Sequence, residues 1–277
     1  MLLSRNYPPS AALAPYVRRH YVFDARLPDD FTLIDRLLSE TAFIRILLKG
    51  DWLAETAPGE WQGAGPVVLF GPNARPLPVR VAGPFLVIGV AIRPSGWRSV
   101  FGCPASECAD RMEPLGEHWG EAAAMLLEEV AGAADDAAIV AAIERALADQ
   151  IVRHGDLPTD TPMRAFEDIA RHDSTIRVAD AAAKLGLSAR QMERQCNAGF
   201  GHSPKAVLRR SRFLDMAQAM RGFSSPSDEE LAALRYFDQS HLNREFRRFI
   251  GMTPGAFAQA QTPLLTAGLK LRADGLS

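Results

Sequence analysis

The sequence is short of cysteine: Cys103, Cys108 and Cys196 are the only three in 277 residues. Three scattered thiols cannot build a disulfide framework, so a reducing cytoplasm is the expected compartment. Cys103-x4-Cys108 lacks the usual Cys-x2-Cys spacing and has no partner pair, and it reads as two ordinary half-buried thiols. Long apolar runs are missing too. None approaches the roughly 18 residues that span a bilayer, so no membrane partner is expected. The opening MLLSRNYPPS has no apolar core of the kind a signal peptide needs. Histidine is scarce where a catalytic barrel would need it: residues 1–150 hold only His20 and His118, with no His-x-His pair. A mononuclear site wants two or three His and a carboxylate around one ion, so neither a metal nor another cofactor is expected. No glycine-rich phosphate loop and no nucleophile elbow is present, which removes those enzyme classes.

What is present is an ordinary globular composition, 47% hydrophobic and 23% charged, with enough chain for two cores. The net charge of −2 conceals unlike halves. Residues 1–175 hold 16 Lys/Arg against 24 Asp/Glu, whereas residues 176–260 hold 13 against 8. An acidic first part joined to a basic last part points to a polyanion-binding module near the C-terminus.

The first 95 residues read mainly as strands. FIRILL (43–48), WLAET (52–56), VVLFG (67–71), PVRVAG (78–83) and FLVIGVAI (85–92) are short, apolar and separated by Pro/Gly punctuation. Such a pattern suits a sandwich or barrel-like fold. All four tryptophans (52, 61, 97 and 119) lie in the first 120 residues, where they fill a core or line a pocket. Helical periodicity begins near Trp119, strengthens over Asp135–Arg153, and resumes after GDLPTDTP (155–162) as far as His172. HDSTIR (172–177) is the expected hinge.

The basic half contains a degenerate repeat with a 50-residue offset: SARQMERQCNAGFGHSPKAV from Ser188 and DQSHLNREFRRFIGMTPGAF from Asp238. Each copy opens on an N-cap residue, places an apolar residue four positions on, and ends at Gly-x-[Ser/Thr]-Pro. Each follows a short alanine-rich segment, VADAAAKLG (178–186) or DEELAALR (228–235), the latter with a Ser227/Glu230 capping box. Helix, turn and second helix with exposed polar groups make a helix-turn-helix unit, present twice. PKAVLRRSRFLDMAQAM (204–220) reads as a helix linking the two, with Val207, Leu208 and Leu214 inward and Arg209 and Arg210 near the surface.

YFDQSHLNREFRRFIGMTP, LGLSARQMERQCNAGFGHSP and the trailing RRSRF resemble the DNA-binding domain of AraC/XylS-type transcription regulators over residues 174–260. VIGVAIRPSGWRSVFGCPASECADRMEPLGEHWG is similar to a β-rich N-terminal domain from one branch of these regulators. Two positions depart from the family pattern: Arg235 stands where glycine is common and Cys196 where Phe is common. The resemblance implies an α+β multidomain chain. Its parts are a β-rich regulatory domain (1–118), a helical connector (119–173), an all-α domain with two helix-turn-helix motifs (174–260) and a tail (261–277). It implies a sequence-specific, non-enzymatic regulator whose partner is double-stranded DNA. RNA polymerase, a small-molecule effector in the N-terminal domain and a second copy of the chain are further candidate partners.

An α-helix fits the B-DNA major groove, and Arg or amide side chains on its first half reach base edges. That surface is Arg190, Glu193 and Arg194 in the first copy. In the second it is Gln239, Ser240, His241, Asn243 and Arg244. Arg209, Arg210, Arg247 and Arg248 are assigned to phosphate, which sets affinity and register rather than sequence. Any single arginine here could equally be solvated or paired within the molecule, and Asp238 reads as a helix cap. The rival reading is a cupin-like small-molecule enzyme with a helical appendage, which turnover on a bound metal would reveal.

Overall fold

The computed structural model describes residues 2–155, 159–224 and 239–276. Eight strands form one antiparallel sheet: β1 (Leu2–Tyr7), β2 (Val17–Ala25), β3 (Thr32–Leu37), β4 (Phe43–Ala57), β5 (Glu60–Gln62), β6 (Val67–Phe70), β7 (Leu77–Ile92) and β8 (Met112–Pro114). Its main path runs β1-β2-β7-β4-β6-β8, with β3 added on β7 and β5 on β4. FIRILL and WLAET, read as two strands, are one strand, and PVRVAG and FLVIGVAI are another.

The joins within these long strands are bends. Gly50 has φ +92° and Gly83 has φ +62°. A Cβ on Gly50 would lie 2.6 Å from Phe85 Cβ, so the two strands close on each other where one side chain is missing. β7 pairs with β2 beyond its bend and with β3 before it, which curls the sheet. Phe43, Trp52, Phe70, Val81 and Val87 line the concave side. Ile44, Ile46, Leu69, Ile88 and Val90 face the convex side, against helices. Apolar burial on both faces explains why FIRILL and FLVIGVAI read as continuous hydrophobic runs.

The helices on the convex side are α1 (Trp97–Phe101), α2 (Gly116–Trp119), α3 (Glu121–Ala131) and α4 (Asp136–Arg153). Asp135 caps α4 through the amide of Ala138. Next comes α5 (Thr161–His172), expected as connector. Its Met163, Phe166 and Ala170 instead pack into one cluster with Ala181, Met192, Cys196 and Phe200 of the helix-turn-helix region. Its Glu167 meanwhile accepts hydrogen bonds from Arg18 and Arg93 of the N-terminal domain, so α5 touches both regions.

The C-terminal region continues with α6 (Val178–Lys184), α7 (Ala189–Phe200), α8 (Pro204–Met220), α9 (Gln239–Ile250), α10 (Pro254–Gln259) and α11 (Pro263–Ala273). The stretch expected as a tail is thus largely helical. Asp35 of β3 accepts hydrogen bonds from the amides of Leu264 (2.7 Å) and Leu265 (3.4 Å), capping α11 from the other domain. Leu264 joins the concave core of the sheet, while Leu265 and Leu269 join Phe213, Phe246 and Phe257. Among the described residues no helix is long and apolar enough to cross a membrane.

Candidate nucleic-acid interface

The two repeat copies share their punctuation. Ser188 and Gln191 form a capping box at the start of α7. Gly201 and Gly251 both have φ +71° and end α7 and α9. Ser203 and Thr253 then cap α8 and α10 through the amides of Ala206 (3.3 Å) and Ala256 (3.2 Å), each with proline at the first helical position. The expected Asp238 cap, the Ser227/Glu230 box, Arg235 and the helix over 228–235 lie outside the described residues.

Met192, Cys196 and Phe200 bury one face of α7 at intervals of four. Burial raises the Cys196 thiol, which behaves as a core side chain. Arg190, Glu193 and Arg194 are exposed on the other face. On α9, Phe246, Phe249 and Ile250 are buried. Ser240, Arg244, Arg247 and Arg248 are exposed, and His241 and Asn243 are half-buried. The side chain of Gln239 lies outside the described residues.

On α8 the assignment of Arg210 to phosphate needs correction. Arg210 is 1% exposed. It donates to the carbonyl of Asn73 at 2.7 Å and to that of Glu40 at 2.6 Å, both in the N-terminal domain, so it cannot meet phosphate. Arg209 pairs with Glu245 of α9, whose side chain is fully buried. It donates from Nε at 2.6 Å as well as through Nη2, so it ties the linker helix to the second head. Glu245, the one acid in a basic helix, was the sequence signal for this pair.

The second half of α7 sits on the N-terminal domain. A Cβ on Gly199 would lie 2.6 Å from the Pro94 carbonyl oxygen, and one on Gly201 would lie 2.7 Å from Pro72 and 3.0 Å from the Ala105 carbonyl oxygen. His202 Nε2 lies 3.0 Å from the carbonyl oxygen of Pro72, to which it donates. The first half of α7, carrying the arginines, stands clear of this contact.

The concave side of the sheet and α11 line an open-mouthed cavity of about 340 Å³. Arg45 points into this space from β4. Its guanidinium lies 4.1, 4.8 and 5.0 Å from the ring centres of Trp52, Phe70 and Phe43. Its Nε and Nη1 are buried without a hydrogen-bond partner among the described residues. Nothing in the local sequence marked Arg45, because the cage needs Phe70 from β6 and Trp52 from beyond the Gly50 bend of β4.

The two histidines weighed for a catalytic metal are in different surroundings. His20 is buried with Nε2 3.2 Å from Glu144 of α4, and burial holds it below its ordinary value. His118 instead meets both thiols expected to be ordinary. One donor atom each from Cys103, Cys108 and His118 lies within 4.8 Å of the others. Cys108 Sγ is 4.0 Å from His118 Nε2, and Glu113 Oε2 is 3.0 Å from the same nitrogen. Hydrogen bonds from Cys108 and then His118 bring the Cys103 thiol down to about 5, while Cys108 is pushed up by that same partner and by burial.

Residues 181–260 match a family model described as a helix-turn-helix domain, and residues 5–114 match one described as a domain of unknown function. No curated protein matches the chain. A structure of ToxT from Vibrio cholerae aligns with a TM-score of 0.47 at 12% identity, covering 87% of this chain and 98% of that one. Unsaturated fatty acid-bound wild-type ToxT from strain SCE256 aligns at 0.46 and 12%, covering 86% of this chain and 94% of that one. In class, the chain is a two-domain helix-turn-helix protein. Its C-terminal region carries the helix-turn-helix domain over residues 181–260, joined to a β-rich N-terminal domain.

Proposed function

We propose that the protein binds specific DNA sites by placing the first halves of α7 and α9 in successive major grooves, about 34 Å apart on one face of the duplex. The observation that carries this reading is the pair of exposed arginine faces on helices closed by the same φ +71° glycine and the same capped proline turn. Arg194 and Arg244 are assigned to base edges, and Arg247 and Arg248 to phosphate. Arg190, Glu193, Ser240, His241 and Asn243 complete the reading surface, and Gln239 remains assigned to it by sequence.

Selecting bound fragments from random duplexes tests the proposal, and the length of the recovered site reads whether one copy or two binds. On the selected site, Arg194→Ala or Arg244→Ala should weaken binding by about 1–3 kcal/mol while leaving random DNA nearly unchanged. Arg247→Ala should weaken both alike and lower the salt dependence. Equal losses on selected and random DNA for all three would refute this division of roles.

A second element of the proposal is effector control through the cavity. A guanidinium with two buried nitrogens that lack an acceptor among the described residues, inside a largely aromatic cage, suits a small molecule with an anionic group and an apolar body. α11 forms one wall and is joined to α8 by the pair Arg272–Asp215 at 2.5 Å and by Gln218 Nε2 donating to the Leu269 carbonyl at 3.0 Å. Ligand contact with α11 would therefore reach the helix between the heads. Monocarboxylates of increasing apolar length should raise the melting temperature of the full-length protein. Arg45→Met should abolish that rise, and a rise unchanged in the variant would place the ligand elsewhere.

A further inference from the structure

We propose that Cys103, Cys108 and His118 form a binding site for one zinc-class divalent cation, and that the ion braces the turn on which the C-terminal end of α7 is seated. A tetrahedral ion bound to thiolate at about 2.3 Å and imidazole at about 2.0 Å holds its donors roughly 3.5–4 Å apart. Cys108 Sγ and His118 Nε2 are already 4.0 Å apart, and all three donors fall within 4.8 Å. Two sulfurs and an imidazole nitrogen form a soft set that selects zinc-class ions over magnesium or calcium. Glu113 Oε2, 3.0 Å from His118 Nε2, is placed to supply the fourth ligand.

The site is pre-organised by its surroundings. The Cys103 carbonyl accepts a 2.9 Å hydrogen bond from Trp97 Nε1, and the Cys108 amide closes a turn on Ala105 at 3.2 Å. Asp110, at φ +58°, accepts from the amides of Ala74 (2.7 Å) and Arg75 (3.1 Å), anchoring the far side of the loop. The Phe101 ring meets the His118 ring edge-on at 6.0 Å, fixing its plane. Cys108 is buried and Cys103 half-exposed, so an ion could enter past Cys103. Metal ligation draws the 103–108 turn and α2 together. The same turn presents the Ala105 carbonyl and Ala109 to Gly201 at the end of α7. Any change in DNA affinity on metal binding rests on the DNA-reading proposal above, whereas the site itself does not.

The test uses full-length, reduced protein and Co(II) alone, without DNA. The expected result is one Co(II) per chain, with thiolate-to-metal charge transfer and tetrahedral ligand-field absorption, displaced by Zn(II). Cys103→Ser and His118→Gln should each weaken Co(II) binding by more than the roughly 10–100-fold that loss of a group merely hydrogen-bonded to a ligand brings. X-ray absorption at the zinc edge should show sulfur ligation in the wild-type protein, which needs no variant. Amide exchange at residues 196–203 should slow when Zn(II) is added. Cobalt bound without thiolate bands, affinity unchanged in either variant, or zinc surrounded only by oxygen and nitrogen would overturn the site. Exchange at 196–203 unaffected by a bound ion would overturn the bracing.

Discussion

A guanidinium with almost no accessible surface must find acceptors inside the molecule, and Arg210 finds the carbonyls of Asn73 and Glu40. Burial accordingly lowers its proton affinity to about 10, still leaving it charged at neutral pH. Arg210→Met should leave two buried carbonyls without their donor and cost on the order of 3 kcal/mol, read from urea midpoints. Histidine sets the acid limit. His20 and His202 both lie below the ordinary 6.5 because burial disfavours their charged forms, Glu144 opposing the shift at His20. The unfolded chain therefore takes up protons first, so their contribution is complete above about pH 6.5 and declines as pH falls below it. Stability should drop as pH falls below about 6.5, and His20→Gln should reduce the slope by up to about 1.4 kcal/mol per pH unit. An unchanged slope would remove His20 from this account. The exposed arginines of α7 and α9 were legible in the sequence because an apolar stripe fixes which residues face away from it. Arg210 was not, because its acceptors Asn73 and Glu40 come from other elements, and Arg45 was not, because its cage closes only through the bend of β4 and Phe70 of β6.

At the scale of elements, the repeat was the most legible feature, since glycine, Ser/Thr and proline act through their own backbone neighbours. The long strands were misread as pairs because Gly50 and Gly83 look like turn punctuation, and only the pairing of β4 with β7 shows them as bends. The Cys103/Cys108/His118 group escaped notice for a related reason: its spacing matches no linear metal motif, and α2 supplies the third member from a separate element. Gly199 marks where α7 meets the Pro94–Gly96 turn at backbone distance. Alanine there would favour the helix by about 1 kcal/mol in isolation. Here its Cβ would press on a carbonyl oxygen 2.6 Å away. Gly199→Ala should therefore speed amide exchange in the 94–101 region while the helix-turn-helix core stays protected. Unchanged exchange would mean the domains accommodate the methyl group.

At the scale of the whole molecule, α11 and the charges beneath it join the two domains, beside the contacts of Arg210 and the end of α7. Arg272 is 6% exposed and bridges Asp215 on α8 to Glu40 beside β3, while Asp35 caps the same helix. Removing one member of a buried ion pair typically costs about 3–5 kcal/mol, because its partners keep their charge without compensation. Arg272→Met should lower the melting temperature and split a single transition into two, one for each domain. A single transition at the wild-type temperature would show that other contacts suffice.

The contact at Gly199 also constrains engineering. The match between the two domains depends there on an atom that is missing, which no list of favourable contacts would reveal. Exchanging the C-terminal domain for that of another helix-turn-helix protein would require donors that also lack side chains at the points equivalent to Gly199 and Gly201, or acceptors rebuilt around Pro94 and Pro72. Compatibility between the two domains at this contact would then be set by the vacant positions at Gly199 and Gly201 rather than by the amount of surface they share.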